Sequence, residues 1–141
     1  MFIESSDKCL HVGIGDLNGR PHGRLNGEED VIGPHTYGRG NRFIRNLPIE
    51  DKEQRNLLIA CLKASEHVHM NSFFEKADHQ KVTRADWNAT GPPYSPDRYA
   101  EIDGILPNQR TKNMIKDIEG DTKTYSPSDH FPVNWRFKNQ N

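Results

Sequence analysis

Three short polar motifs interrupt apolar runs of this chain. They are Gly15-Asp16-Leu17-Asn18, Ile102-Asp103-Gly104-Ile105-Leu106 and Ser128-Asp129-His130. An Asp/Asn pair, a lone Asp inside a strand-like run and an Asp-His pair before a last strand could together build a phosphodiester-cleaving site. Such a site deprotonates a water in line with the phosphorus, neutralises charge on the phosphoryl oxygens and assists the leaving oxygen. Asp16 is the candidate base that orients or deprotonates the water, and Asn18 the candidate neutral donor to water or phosphate. A carboxamide suits that second place, because a second carboxylate would repel an anionic substrate. Each motif alone also has a plainer reading. Asp-Leu-Asn-Gly is good Asx-turn chemistry after a strand, and Ser-Asp-His is a turn that opens the final strand.

The elements that must position these residues follow from periodicity. Leu10, Val12 and Ile14 alternate with Cys9, His11 and Gly13, which predicts a strand with Asp16 and Asn18 continuing its apolar parity. Residues 19 to 45 are rich in Gly, Pro, Asn and charge and read as a long loop, a feature that is often functional. Pro48, Glu50 and Asp51 start a helix over 49–65, with Leu57, Leu58, Cys61 and Leu62 as its apolar stripe. Strands are expected around 68–74, 80–84, 99–106, 114–118 and 131–137. Residues 86–98 carry Pro92, Pro93 and Pro96 and read as irregular. The composite is one main helix with five or six strands, an α/β (α+β) chain.

Length and composition narrow the classes. At 141 residues the chain is one domain, and 33% hydrophobic content is thin for a large core. No run has the length of a signal peptide or membrane span, so an intracellular protein of nucleus or cytoplasm is expected, with no membrane partner and no secretion. In that setting Asn88-Ala89-Thr90 is a glycosylation sequon in form only. Cys9 and Cys61 read as buried free thiols. A net charge of -1 argues against bulk electrostatic binding of nucleic acid. A local patch is nevertheless present, since Arg39, Arg42 and Arg45 lie with Tyr37 and Phe43 in a stretch without acids. Such a loop either contacts phosphates and stacks on bases or is an ordinary solvated loop. Trp87, Tyr94 and Tyr99 with Arg84 and Arg98 are further candidates for a substrate groove. His67 and His69 lack a third ligand at suitable spacing and read as exposed strand histidines.

On these motifs, and on Gly33-Pro34-His35-Thr36-Tyr37-Gly38, Asn56-Leu57-Leu58, Asn71-Ser72-Phe73-Phe74 and Lys81-Val82-Thr83, the chain resembles the endonuclease/exonuclease/phosphatase superfamily. The likeness is greatest to endonuclease domains of LINE-type retrotransposons and the related craniofacial-development-protein-2-like chains. It runs from about Cys9 to Phe137 and covers the C-terminal half of the family domain. The family's first half, with an Asn and a metal-binding Glu, is expected to lie outside the chain.

The resemblance implies half of a four-layer αββα sandwich, with one mixed β-sheet and one main helix, acting as a Mg²⁺- or Mn²⁺-dependent DNA endonuclease. His130 matches the family histidine that contacts the scissile phosphate, Asp103 the carboxylate that holds its tautomer, and Asp129 a carboxylate near the metal. Arg84 stands where the family usually has an aromatic residue after the Thr of Lys-x-Thr, as a candidate DNA contact beside Arg39, Arg42 and Arg45. Other substrates within the superfamily are phospholipids and inositol phosphates. The alternative is a catalytically inactive fragment or domesticated remnant that binds nucleic acid or self-associates through an uncovered sheet face.

Overall fold

The structure is a computed structural model and describes residues 11–17, 19–124 and 127–138. The chain is mixed α/β, with small sheets and few helices. Strand β1 (Val12–Asp16) leads through a long segment to a short helix α1 (Asn41–Arg45) and the main helix α2 (Ile49–Ser65). Short strands β2 (Arg84–Ala85) and β3 (Tyr99–Ala100) follow, then β4 (Asp103–Pro107), β5 (Ile115–Gly120) and β6 (Val133–Phe137). Among the described residues the strands form three antiparallel pairs, β1 with β4, β2 with β3, and β5 with β6, in place of the single mixed sheet expected.

The reason lies beside β4, where a further strand was expected over 68–74. His67 and His69 make only isolated bridges, to Asn108 and Ile32, and the chain then tightens into a 3-10 turn at Met70–Phe73. The Asn71 carboxamide substitutes for strand backbone there. Its Oδ1 accepts the Ile105 N–H at 2.9 Å and its Nδ2 donates to the Asp103 carbonyl at 3.2 Å. One side chain thus satisfies two β4 backbone groups, and no ladder propagates. The stretch expected as a strand over 80–84 is likewise mostly a 3-10 turn (Asp78–Gln80) with β2 after it.

Helix α2 has the expected bounds but a different buried face. Arg55, Ile59 and Leu62 are buried, whereas Leu57 and Cys61 are exposed. Arg55 replaces an apolar residue on the inner stripe because it is fully partnered. Its guanidinium donates to both Glu28 carboxylate oxygens at 2.8 and 2.6 Å and to the carbonyls of Pro21 and Gly23 at 2.7 and 3.2 Å. The segment expected as a solvated loop is therefore wrapped around a buried cation, and Val31 and Ile32 follow it into the core. Gly33 permits that path, since a Cβ there would lie 2.4 Å from the Ser72 carbonyl oxygen. The thiol of Cys61 is exposed, not buried, because the helix turns Arg55 inward, and Cys9 lies outside the described residues.

Strand β4 is covered on both sides, which explains its continuous apolar run. Ile105 packs with Val68, Met70, Ile115 and Ile118, while Leu106 packs on Ile59, Leu62 and Ile32 across the sheet. A third cluster joins Tyr37, Val82 and Tyr99, with Tyr94 and Phe131 against it. Tyr99 is thus a core residue, with the half-buried Tyr94 packed against it. His69 is fully buried, correcting its reading as exposed, and burial with Lys81 nearby pushes its imidazole down to about 4. No helix among the described residues is long and apolar enough to cross a membrane.

Candidate functional site

The β1–β4 register sets Asp16, the last residue of β1, directly opposite Asp103, the first of β4. Like charges across an antiparallel pair repel. A third group lies with them. His130 Nδ1 is 2.8 Å from Asp103 Oδ2, and its Nε2 is 4.0 Å from Asp16 Oδ2. Asp129 Oδ1 lies 3.9 Å from the same Nε2. With a carboxylate as the partner of Nδ1, that nitrogen carries the proton and Nε2 is turned toward Asp16 and Asp129. The His130 side chain is about one-third exposed, so the cluster opens to the surface.

Local structure brings these residues from distant parts of the chain. The Asp129-His130 segment docks on β2, where Ala85 N–H donates to the Asp129 carbonyl at 2.9 Å and Phe131 N–H to the Thr83 carbonyl at 2.7 Å. Arg84 and His130 form an antiparallel bridge. Thr83, which is buried, also fixes the other side, for its Oγ1 accepts the N–H groups of Ile102 and Asp103 at 2.9 and 3.1 Å. One residue therefore ties the Asp103 backbone to the His130 segment. Thr83 and Asn71 went unrecognised as positioning residues. The available signal was that both lie in stretches that carry the family likeness, Lys81-Val82-Thr83 and Asn71-Ser72-Phe73-Phe74.

A Thr83→Val variant keeps the shape and removes the acceptor. Two buried N–H groups then lose their partner, at about 1–3 kcal/mol for each group left without one. We expect a lower unfolding midpoint together with a changed His130 imidazole resonance in NMR. An unchanged resonance with lowered stability would assign Thr83 to stability alone.

Arg84 reaches the cluster, with its Nε 3.3 Å from Asp129 Oδ2. Arg39 pairs with Asp97 and lies over the Phe43 ring, its guanidinium carbon 5.2 Å from the centroid. Arg42 and Arg45 are exposed on α1 and are not among the residues lining the cleft that Arg39 and Arg84 share. Asn18 lies outside the described residues. Trp87 is 87% exposed.

Asp16, Asp103 and His130 each bring one ligand atom to within 4.8 Å of the others. Asp16 and Asp103 are the carboxylates of this trio, and Asp129 is not part of it. Hard carboxylate oxygens suit Mg²⁺ or Mn²⁺, and Mg²⁺ is commonly bound by one or two carboxylates with waters and substrate phosphate completing its shell. The donor set thus fits such an ion. No protein-family model, curated protein or solved structure matches the chain.

Proposed function

We propose that the chain is the C-terminal half of a metal-dependent phosphodiesterase domain of the endonuclease/exonuclease/phosphatase kind, nicking DNA as retrotransposon endonucleases do in nucleus or cytoplasm. In this reading its small sheets belong to half of a four-layer αββα sandwich. One observation carries it: residues 16, 103, 129 and 130, singled out for phosphodiester chemistry, meet around one imidazole. Asp103 accepts Nδ1–H of His130, and Nε2, when the ring is protonated, donates its N–H to a phosphoryl oxygen. Asp16 receives the proton of the attacking water and fixes its direction, and Asn18 is assigned the role of neutral donor. Asp16 and Asp129 would hold Mg²⁺ or Mn²⁺, and the ion, when bound, neutralises charge on the phosphoryl oxygens. Arg84 holds Asp129 from the side opposite His130.

Supercoiled plasmid tests the reading. Nicking that needs Mg²⁺ or Mn²⁺ and stops with chelator is the expected result. The chain alone should be weak, because in the family a further metal-binding Glu comes from the first half of the domain, and adding that half should restore the rate. No nicking after that complementation would remove the proposal.

A second reading, a non-catalytic remnant that self-associates, is favoured by an adjoining surface that Asp16 also lines. An apolar groove of about 570 Å³ runs between the β1–β4 sheet and α2, lined by Gly13, Leu17, Leu57, Leu58, Cys61 and Leu106. Leu57 is 64% exposed there, and Ile14 is 64% exposed on β1. Surfaces of this kind are association sites. The expected outcome is hydrophobic-dye binding and a sedimentation coefficient that rises with concentration. A monodisperse monomer that binds no dye would exclude self-association.

A further inference from the structure

Beside the Asp103–His130 cluster lies a second cleft, of about 430 Å³, that the chemistry above does not use. Arg20, His22, Arg39, Phe43 and Arg84 line it. Arg84 makes the two places continuous, since it also contacts Asp129. We propose that this cleft is a phosphate subsite, in which Arg20 takes a backbone phosphate of the nucleic-acid strand leading away from the reacting phosphodiester. The proposal rests on the phosphodiesterase reading for the class of its ligand.

The counterions of the cleft single out Arg20. Arg39 is engaged by Asp97, Arg84 by Asp129, and Arg55, at the cleft floor, by Glu28. Arg20 is half-buried and has no acid within ion-pair reach among the described residues. A partly desolvated guanidinium without a counterion is costly, and an anion offsets that cost. A phosphate also matches the planar, forked donor set of Arg better than a point charge does.

His22 reports the field there. Burial, then the charges of Arg20, Arg39 and Arg55, push its imidazole down to about 4, and Asp51 only partly opposes them. It is therefore neutral near pH 7. Its Nδ1 accepts the Arg39 N–H at 3.4 Å, which leaves Nε2–H as a donor. The Phe43 ring meets His22 edge-on at 4.8 Å and supplies an apolar wall for a sugar or base. His22 holds this place at φ 61, a left-handed conformation that is costly for a residue with a side chain. Its backbone is pinned there, as Gly40 N–H donates to the His22 carbonyl at 2.7 Å. Asp51 and Asp86 are exposed at the rim, so the cleft suits one phosphate and not a run of them.

The experiment is a titration of the full chain with a fluorescently labelled 20-base-pair DNA duplex in chelator, repeated over a range of salt. Arg20→Gln should weaken binding several-fold at low salt. It should also make the slope of log affinity against log salt shallower by about 1, the signature of one lost phosphate contact. Arg20→Lys keeps the charge and should keep the slope, and unfolding midpoints for both variants report on the fold. His130→Ala tests the phosphodiesterase reading separately, through nicking. An unchanged slope in Arg20→Gln, or no DNA binding by the wild type, overturns the subsite whatever the nicking result. A reduced slope in a chain that never nicks keeps the subsite and removes the enzyme. Saturable binding of inorganic phosphate that Arg20→Gln abolishes while DNA binding persists would assign the cleft to free phosphate and overturn the strand.

Discussion

His130→Ala is expected to lower metal-dependent plasmid nicking by roughly 10²–10⁴-fold, the range for removing a positioned acid–base or charge-stabilising group. The expectation follows from geometry. His130 Nδ1 is committed to Asp103 at 2.8 Å, and Nε2 lies between Asp16 and Asp129 at 4.0 and 3.9 Å. Asp16→Ala should cost as much, because it removes both the base and one of two carboxylates toward a cation. Asp103→Asn should cost less. An amide oxygen still accepts Nδ1–H, although without the charge that stabilises a protonated ring. The measurement is a single-turnover rate with the chain in excess, so that weak DNA binding does not mask the chemical step. His130→Ala nicking at the wild-type rate would place the reaction elsewhere, and equal loss in Asp103→Asn and His130→Ala would mean that the charge, and not the orientation, is what Asp103 supplies.

Much of this arrangement was legible in sequence, and the failures have physical causes. The helix over 49–65 was readable because Pro48, Glu50 and Asp51 mark its start and the helical pattern runs unbroken to Ser65. Strands near 115–120 and 133–137 were readable from alternation, as was β1. The inner face of α2 was not. Leu57 and Cys61 are as apolar as Leu62, and only long-range partners at Pro21, Gly23 and Glu28 turn Arg55 inward instead. Residues 68–74 alternate like a strand, yet the Asn71 carboxamide takes over the β4 hydrogen bonds and the chain coils. Side-chain substitution for backbone leaves no periodic trace. The meeting of Asp16, Asp103 and His130 was expected from motif types, whereas the β1–β4 register and the Thr83 tie that produce it depend on pairing between distant segments. The Arg20 cleft was hidden for the same reason. Arg20 and Arg84 are 64 positions apart, and their residue types alone do not say that they share a wall.

The largest stability effect is expected at Arg55, the buried cation of helix α2. Arg55→Leu leaves the Glu28 carboxylate buried with only the Leu25 N–H at 2.8 Å and the more distant Lys63 charge. Removing one partner of a buried pair typically costs about 3–5 kcal/mol, since the remaining charge stays desolvated. For a chain of this size that is a fall in Tm on the order of 10 °C. The double variant Arg55→Leu with Glu28→Leu should recover a large part of the loss, because it leaves no orphaned charge. The pH dependence has a definite sign. Burial alone would raise the Glu28 carboxyl. The Arg55 hydrogen bonds, the Leu25 N–H and the charges of Arg55 and Lys63 instead hold it below the usual carboxylate range. A depressed carboxyl contributes stability above its unfolded pKa and loses it as pH falls through the folded value. Wild-type Tm should therefore drop on acidification below about pH 4–5, and Arg55→Leu should flatten that part of the curve because burial is no longer outweighed. Thermal melts from pH 7 to 3 read both effects. An Arg55→Leu chain with wild-type Tm and the same acid limb would mean that the 19–33 segment is held by Val31 and Ile32 alone, and that the buried ion pair sets its path without stabilising it.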